Sequence, residues 1–130
     1  MEMINKTVFI IDDDPIVRFL VEKMMSKVNS DLAFIQCENG KIGLDKLQSH
    51  KGDLSRCIVL LDLNMPELNG WQFLDEIQSG TIDNYDSIPI YILSSSTDKE
   101  DIERAKEYSI VKKFYHKPMG IDDINELLNQ

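Results

Sequence analysis

Three consecutive aspartates, Asp12, Asp13 and Asp14, follow directly on the apolar run at residues 8–11. Like charges crowded together disfavour one another's ionised form, and a cation is the simplest compensation. A fourth carboxylate, Asp62, follows the apolar run at 57–61. The hydroxyl of Ser94 follows the run at 89–93, and the ammonium of Lys117 follows the segment at 113–116. A carboxylate cluster, a hydroxyl and an ammonium are what phosphoryl transfer asks of a protein, because its transition state is stabilised by positioning and charge. Hard carboxylate oxygens favour Mg²⁺, which accepts one or two carboxylates, keeps several waters and takes phosphate oxygens for the rest. Asp62 is then the candidate nucleophile, receiving phosphate as an acyl phosphate.

These groups are far apart in the chain, so the elements that carry them must bring them together. Five short runs read as strands, at residues 7–11, 32–37, 57–61, 89–93 and 113–116. Segments with helical spacing alternate with them. The first carries Val17, Leu20, Val21, Met24 and Val28 at intervals of three and four, with Asp14 and Pro15 as cap and first turn. Weaker stripes follow through Ile42 and Leu47, then Trp71, Leu74 and Ile77, then Ile102 and Ala105, and finally Ile121, Ile124, Leu127 and Leu128. Nearly continuous apolar strands such as CIVLL are the mark of a parallel sheet covered on both faces. The expected fold is therefore α/β, a doubly wound (βα)5 three-layer sandwich, for which the flavodoxin-like strand order 2-1-3-4-5 is one arrangement. In such a sheet the binding crevice lies at the carboxyl ends of the strands, between strands 1 and 3. Asp12, Asp13 and Asp62 would meet there, and Ser94 and Lys117 would stand at the same edge.

The 130 residues are enough for one domain with its own core, so 1–130 reads as a single domain with no second module attached. With 14 basic and 23 acidic residues the net charge is -9, which repels a phosphate backbone and argues against direct nucleic-acid binding. No run reaches the ~18 apolar residues of a spanning helix, and the N-terminus has no secretion signal; the expected location is the cytoplasm. Cys37 and Cys57 belong to no C-x-x-C pair and read as reduced core thiols that the strand order keeps too far apart to bridge.

Each site residue also has a plainer reading when taken alone: Asp13 or Asp62 as a loop carboxylate, Ser94 as a turn hydroxyl, Lys117 as a solvated charge. Coincidence at four strand ends is what favours the chemical reading. Asp14 stays a helix cap, and the DKEDIE run a solvated first helical turn. His50 reads as an exposed loop residue, and neither it nor His116 has a partner at ligand spacing.

The motifs IIDDDP, LLDLNMPELNG, ILSSS and HKP, in that order and across nearly the whole chain, resemble the receiver domain of two-component response regulators. The resemblance implies that Asp62 is phosphorylated, that Asp12 and Asp13 serve Mg²⁺, and that the backbone carbonyl of Asn64 completes the protein's metal ligands. It implies that Lys117 binds a phosphate oxygen, with a cis bond to Pro118, and that Ser94 is the switch hydroxyl. The switch aromatic, three residues before the lysine, is Phe114, where Tyr is frequent. The side chains that influence the lifetime of the acyl phosphate are Asn64 and Ser96; both are small and polar, which implies a transient mark. The phosphoryl donor would be a sensor histidine kinase or a histidine phosphotransfer protein. The face of helix 4, strand 5 and helix 5 would read the change out to a downstream protein, or pair two phosphorylated copies.

Two departures from the family pattern stand out. No glycine closes helix 4 before strand 5, and the stretch QSGTIDNYDSIP reads as an extended surface loop. Two rival readings remain: a pseudo-receiver that binds without phosphorylation, and a haloacid-dehalogenase-like phosphohydrolase. The latter requires D-x-D on its first strand, whereas Asp62 is followed by Leu63 and Asn64 on the third.

Overall fold

The structure, a computed structural model, describes residues 6–129. Strands β1 (Thr7–Ile11), β2 (Ala33–Cys37), β3 (Cys57–Leu61), β4 (Ile90–Ser94) and β5 (Val111–His116) alternate with helices α1 (Pro15–Val28), α2 (Gly40–Ser49), α3 (Gly70–Glu76), α4 (Lys99–Lys106) and α5 (Ile121–Leu128). Every pairing is parallel and the order is β2-β1-β3-β4-β5, the doubly wound arrangement expected from the sequence.

The period of two along each strand divides the core in halves. Phe9, Ile11, Val59, Leu61 and Ile92 pack with Leu47, Phe73, Leu74 and Ala105 of α2, α3 and α4. Val8, Ile10, Ile58, Leu60 and Leu93 pack with Val21, Met25, Ile124 and Leu127 of α1 and α5. The inner strands β3 and β4 are buried at every position, which is why they read as unbroken apolar runs. The edge strand β5 is covered less and spells VKKFYH, with Lys112 as the extra residue of a bulge opposite Ile90 and Tyr91.

Helix α1 begins as its sequence predicts: the Asp14 carboxylate accepts the Ile16 N–H at 2.9 Å and Pro15 opens the helix. Its buried edge is rotated from the expected stripe. Val21 and Met25 are the residues driven into the core, Val17 and Met24 are half-buried, and Leu20 and Val28 are exposed.

The α3–β4 stretch is not an extended loop. Helix α3 runs into a wider turn at Ile77–Thr81 that Gly80 ends at φ 92°, a conformation suited to glycine, and a short 3-10 turn follows at Tyr85–Ser87. Ile82 and Ile88 are buried and pin this segment to the core, so its length is taken up by turns. Helix α4 needs no terminal glycine because the chain leaves through a right-handed turn: Glu107 stays in the helical region and Tyr108 N–H bonds Ala105 O.

His50 is not a free loop residue. It caps the end of α2, is half-buried, and sets its ring edge-on to Phe9 with Nε2 3.5 Å from Cys57 Sγ. Both cysteines are free and buried; β1 separates their strands, with Cys37 opposite Ile11 at one end and Cys57 opposite Thr7 at the other. Among the described residues no helix is long and apolar enough to cross a membrane.

Candidate functional site

The ladder continues one residue past the strand ends and holds the acidic loops in register. Asp12 N–H bonds Cys37 O, Asp62 N–H bonds Ile11 O, and Lys117 N–H bonds Ser94 O, each at 2.9–3.0 Å. Asp12, Asp62, Ser94 and Lys117 are thereby placed along one edge of the sheet. Ligand oxygens of Asp12, Asp13 and Asp62 lie within 4.8 Å of one another. Lys117 Nζ reaches back across the sheet to Asp12 Oδ2 at 2.8 Å and Asp62 Oδ1 at 3.4 Å. Asp12, Asp13, Asp62 and Lys117 are brought together, and Ser94 stands at the same edge of the sheet.

Asp12, Asp62 and Ser94 are buried, whereas Asp13 is exposed at the mouth. Burial, reinforced by the neighbouring Asp12 charge, pushes the Asp62 carboxyl up to about 6; Lys117 and the Asn64 backbone N–H act against that rise. Burial alone would lower the Lys117 ammonium, but hydrogen bonds and charge from Asp12 and Asp62 outweigh it and hold it above its ordinary value. The ammonium therefore stays charged at neutral pH.

Does this donor set suit a divalent cation? Three carboxylates from two strand ends supply only hard oxygens, and one ammonium balances only part of their charge. Asp12 Oδ1 accepts the Asp14 N–H, and the buried Asp12 Oδ2 has the Lys117 ammonium, 2.8 Å away, as its partner. Three clustered carboxylates facing one ammonium keep a surplus of negative charge on hard oxygens, which fits Mg²⁺ or a similar hard ion.

Ser94 Oγ accepts the Ser96 N–H at 3.1 Å. Ser96 is tied to the start of α4, donating to Asp101 Oδ2 at 2.8 Å and accepting the Asp98 N–H. Asn64 is exposed, with its backbone N–H on Asp62. Phe114 is half-buried against the core beside α4, and its ring lies 5.1 Å from that of His116, which is exposed and outside the crevice. The Lys117–Pro118 bond is cis.

Arg18 went unmarked in the sequence, where one basic residue on an amphipathic helix carries no signal. It donates from Nη1 to Asp12 O at 2.6 Å. The ridge of Ile16, Phe19 and Leu20 was equally hidden; these side chains are 67%, 57% and 51% exposed on the helix that starts beside Asp13.

A family model described as the response regulator receiver domain matches residues 8–129. The chain belongs to the response regulator receiver family. This receiver is 30% identical over 124 residues to the nitrate/nitrite response regulator NarL of Escherichia coli K12, covering 95% of this chain and 53% of that protein. It is 34% identical over 91 residues to a protein-glutamate methylesterase/protein-glutamine glutaminase of Desulfitobacterium hafniense, covering 70% and 21%. The receiver thus spans about half, or less, of the length of these relatives. Among solved structures it resembles a two-component response regulator from Cytophaga hutchinsonii, with TM-score 0.84, 27% identity, and 98% and 96% of the two chains covered. A receiver protein from Dyadobacter fermentans gives TM-score 0.81, 27% identity and 95% coverage of each chain.

Proposed function

We propose that this receiver takes a phosphoryl group onto Asp62 from a phosphohistidine and uses the mark to switch its protein contacts. The observation that carries this reading is Lys117 reaching both Asp12 and Asp62 within a buried carboxylate crevice. In the transfer, an Asp62 carboxylate oxygen forms a bond to phosphorus as the donor's N–P bond breaks, and the imidazole nitrogen keeps the electron pair. Hydrolysis by water later returns inorganic phosphate and the free carboxylate. Mg²⁺, bound by Asp12, Asp13, Asp62 and the backbone carbonyl of Asn64, would offset charge on the phosphoryl oxygens.

The chain's own residues do the rest. Burial keeps bulk water from Asp62, and Lys117 offers its ammonium to a phosphoryl oxygen in place of a carboxylate. Ser94 stands at the end of β4, next to the ladder bond that holds Lys117, and would supply its hydroxyl to the phosphoryl group. Phe114 lines a cleft of about 220 Å³ together with Ile102, Ala105 and Lys106 of α4. A shift of the β4–α4 loop toward phosphate would bias Phe114 and with it the α4–β5–α5 face, where a downstream protein or a second phosphorylated copy would bind.

The donor, a sensor histidine kinase or histidine phosphotransfer protein, must seat its histidine at the mouth of the crevice. The exposed ridge of α1 is continuous with that mouth: a groove of about 320 Å³ runs from Leu20 and Met24 to Lys117, Pro118 and Met119. An apolar donor surface packed there would be held against Asp62.

Intact-protein mass after incubation with Mg²⁺ and acetyl phosphate tests the chemistry. Addition of one phosphate to the native chain and none to Asp62→Asn is the expected result. No addition, under conditions that label another receiver, would leave a pseudo-receiver that binds partners unmodified.

A further inference from the structure

We infer that Arg18 is the positioning residue of the acidic pair: its guanidinium clamps the Asp12 carbonyl and so sets how Asp12 and Asp13 face the cation. This rests on the reading of the crevice as a Mg²⁺ site. Asp12 is the first residue beyond β1, and its two backbone groups are held differently. Its N–H remains in the ladder with Cys37 O, but its carbonyl has left the sheet and receives Arg18 Nη1 at 2.6 Å. That carbonyl belongs to the peptide plane joining Asp12 to Asp13, so holding it fixes the relation between the two carboxylates.

Arg18 is itself anchored. Its Nε donates to Gln36 Oε1 at 3.1 Å, and Gln36 Nε2 donates to Glu22 Oε1 at 2.9 Å. The clamp therefore joins α1 and β2 to the turn between β1 and α1. A planar guanidinium suits this task because separate N–H groups reach the two acceptors at once, which an ammonium does poorly. Arg18 is half-buried.

Charge and positioning pull Mg²⁺ affinity in opposite directions. A cation beside the Asp12 carbonyl repels a metal ion, so if charge were all that mattered, removing Arg18 would tighten binding. If Arg18 orients the pair, removing it weakens binding, and loss of an outer partner of a metal ligand costs roughly tenfold in affinity or more. The sign of the change decides.

The test titrates metal-free native chain, Arg18→Met, Arg18→Lys and Gln36→Leu with Mg²⁺ by calorimetry, and measures acetyl phosphate labelling at saturating Mg²⁺. The inference expects about tenfold weaker Mg²⁺ binding in Arg18→Met. It expects smaller losses in Arg18→Lys, which keeps one donor, and in Gln36→Leu, which frees the far side of the guanidinium. Unchanged or tighter binding in Arg18→Met overturns it. If Arg18→Met fails to fold, Gln36→Leu at the exposed end of the network carries the test, and unchanged affinity there overturns it. A native chain that binds no Mg²⁺ and takes no phosphate would sink the proposed function instead.

Discussion

A β-carbon at Gly70 would stand 2.5 Å from the carbonyl oxygen of Asp62 and 2.7 Å from the Cα of Leu63. Both neighbours are backbone and cannot rotate away. Helix α3 therefore starts in contact with the loop that carries Asp62, and Gly70 N–H bonds Leu63 O at 3.0 Å to close that loop.

Gly70→Ala should accordingly push the Asp62 loop and the start of α3 apart. Overpacking of this kind costs about 1–3 kcal/mol, to be read from urea midpoints, and acetyl phosphate labelling should fall with it. Native labelling at native stability would show that the loop yields without consequence.

The rise of Asp62 from 3.8 to about 6 has a definite sign for stability. The unfolded chain loses this proton near the ordinary value and the folded chain holds it longer, so folding is penalised as pH rises between the two. Below both values the penalty vanishes; above about 6 it is complete. Asp62→Asn should thus stabilise the metal-free protein by about 1–3 kcal/mol at neutral pH, and by little in acid near pH ~4. Thermal melts of both chains across this range check it. An advantage that grows toward acid would refute the assignment.

Much of this site was legible because its residues close strands. An inner strand buried on both faces is an unbroken apolar run, so the first charged or polar residue after it marks the sheet's edge, as Asp12, Asp62 and Ser94 do. The edge strand β5 was harder to bound, since Lys112 and Lys113 face solvent and hide its first two residues. Arg18 and the Ile16–Phe19–Leu20 ridge were not legible, because both depend on how α1 rolls on the sheet. Helical spacing alone places Met24 and Met25 equally well inward; packing chose Met25 and turned Leu20 out. The α3–β4 stretch misled for a related reason: Ile82 and Ile88 have no periodic companions, yet each is buried and folds the segment down.

Glu67, in the loop after Asp62, has φ 66° without being glycine or asparagine. The left-handed conformation costs such a residue roughly 1–2 kcal/mol. Glu67→Gly removes that strain but raises unfolded-chain entropy by roughly 0.5–1 kcal/mol. A net gain of up to about 1.5 kcal/mol follows, seen as a higher urea midpoint at unchanged slope. A lower midpoint would mean that the Glu67 side chain contributes more than its backbone loses.

The α1 ridge yields the prediction that separates docking from chemistry. Ile16, Phe19 and Leu20 are too exposed to matter much for folding, so Leu20→Glu should leave the melting temperature and acetyl phosphate labelling near native. A small donor reaches Asp62 without touching α1, whereas a protein donor must bury the ridge. A charge placed in the centre of such an interface costs ~1.4 kcal/mol or more, which is about tenfold in transfer rate at limiting donor. The check is to compare native and Leu20→Glu chains with acetyl phosphate and with a phosphorylated histidine kinase core that labels the native chain. Equal slowing with both donors would place Leu20 in the chemistry of the crevice, and equal rates with both would move the donor's seat elsewhere. Slowing with the kinase alone locates the docking face on α1, within about two helical turns of Asp13.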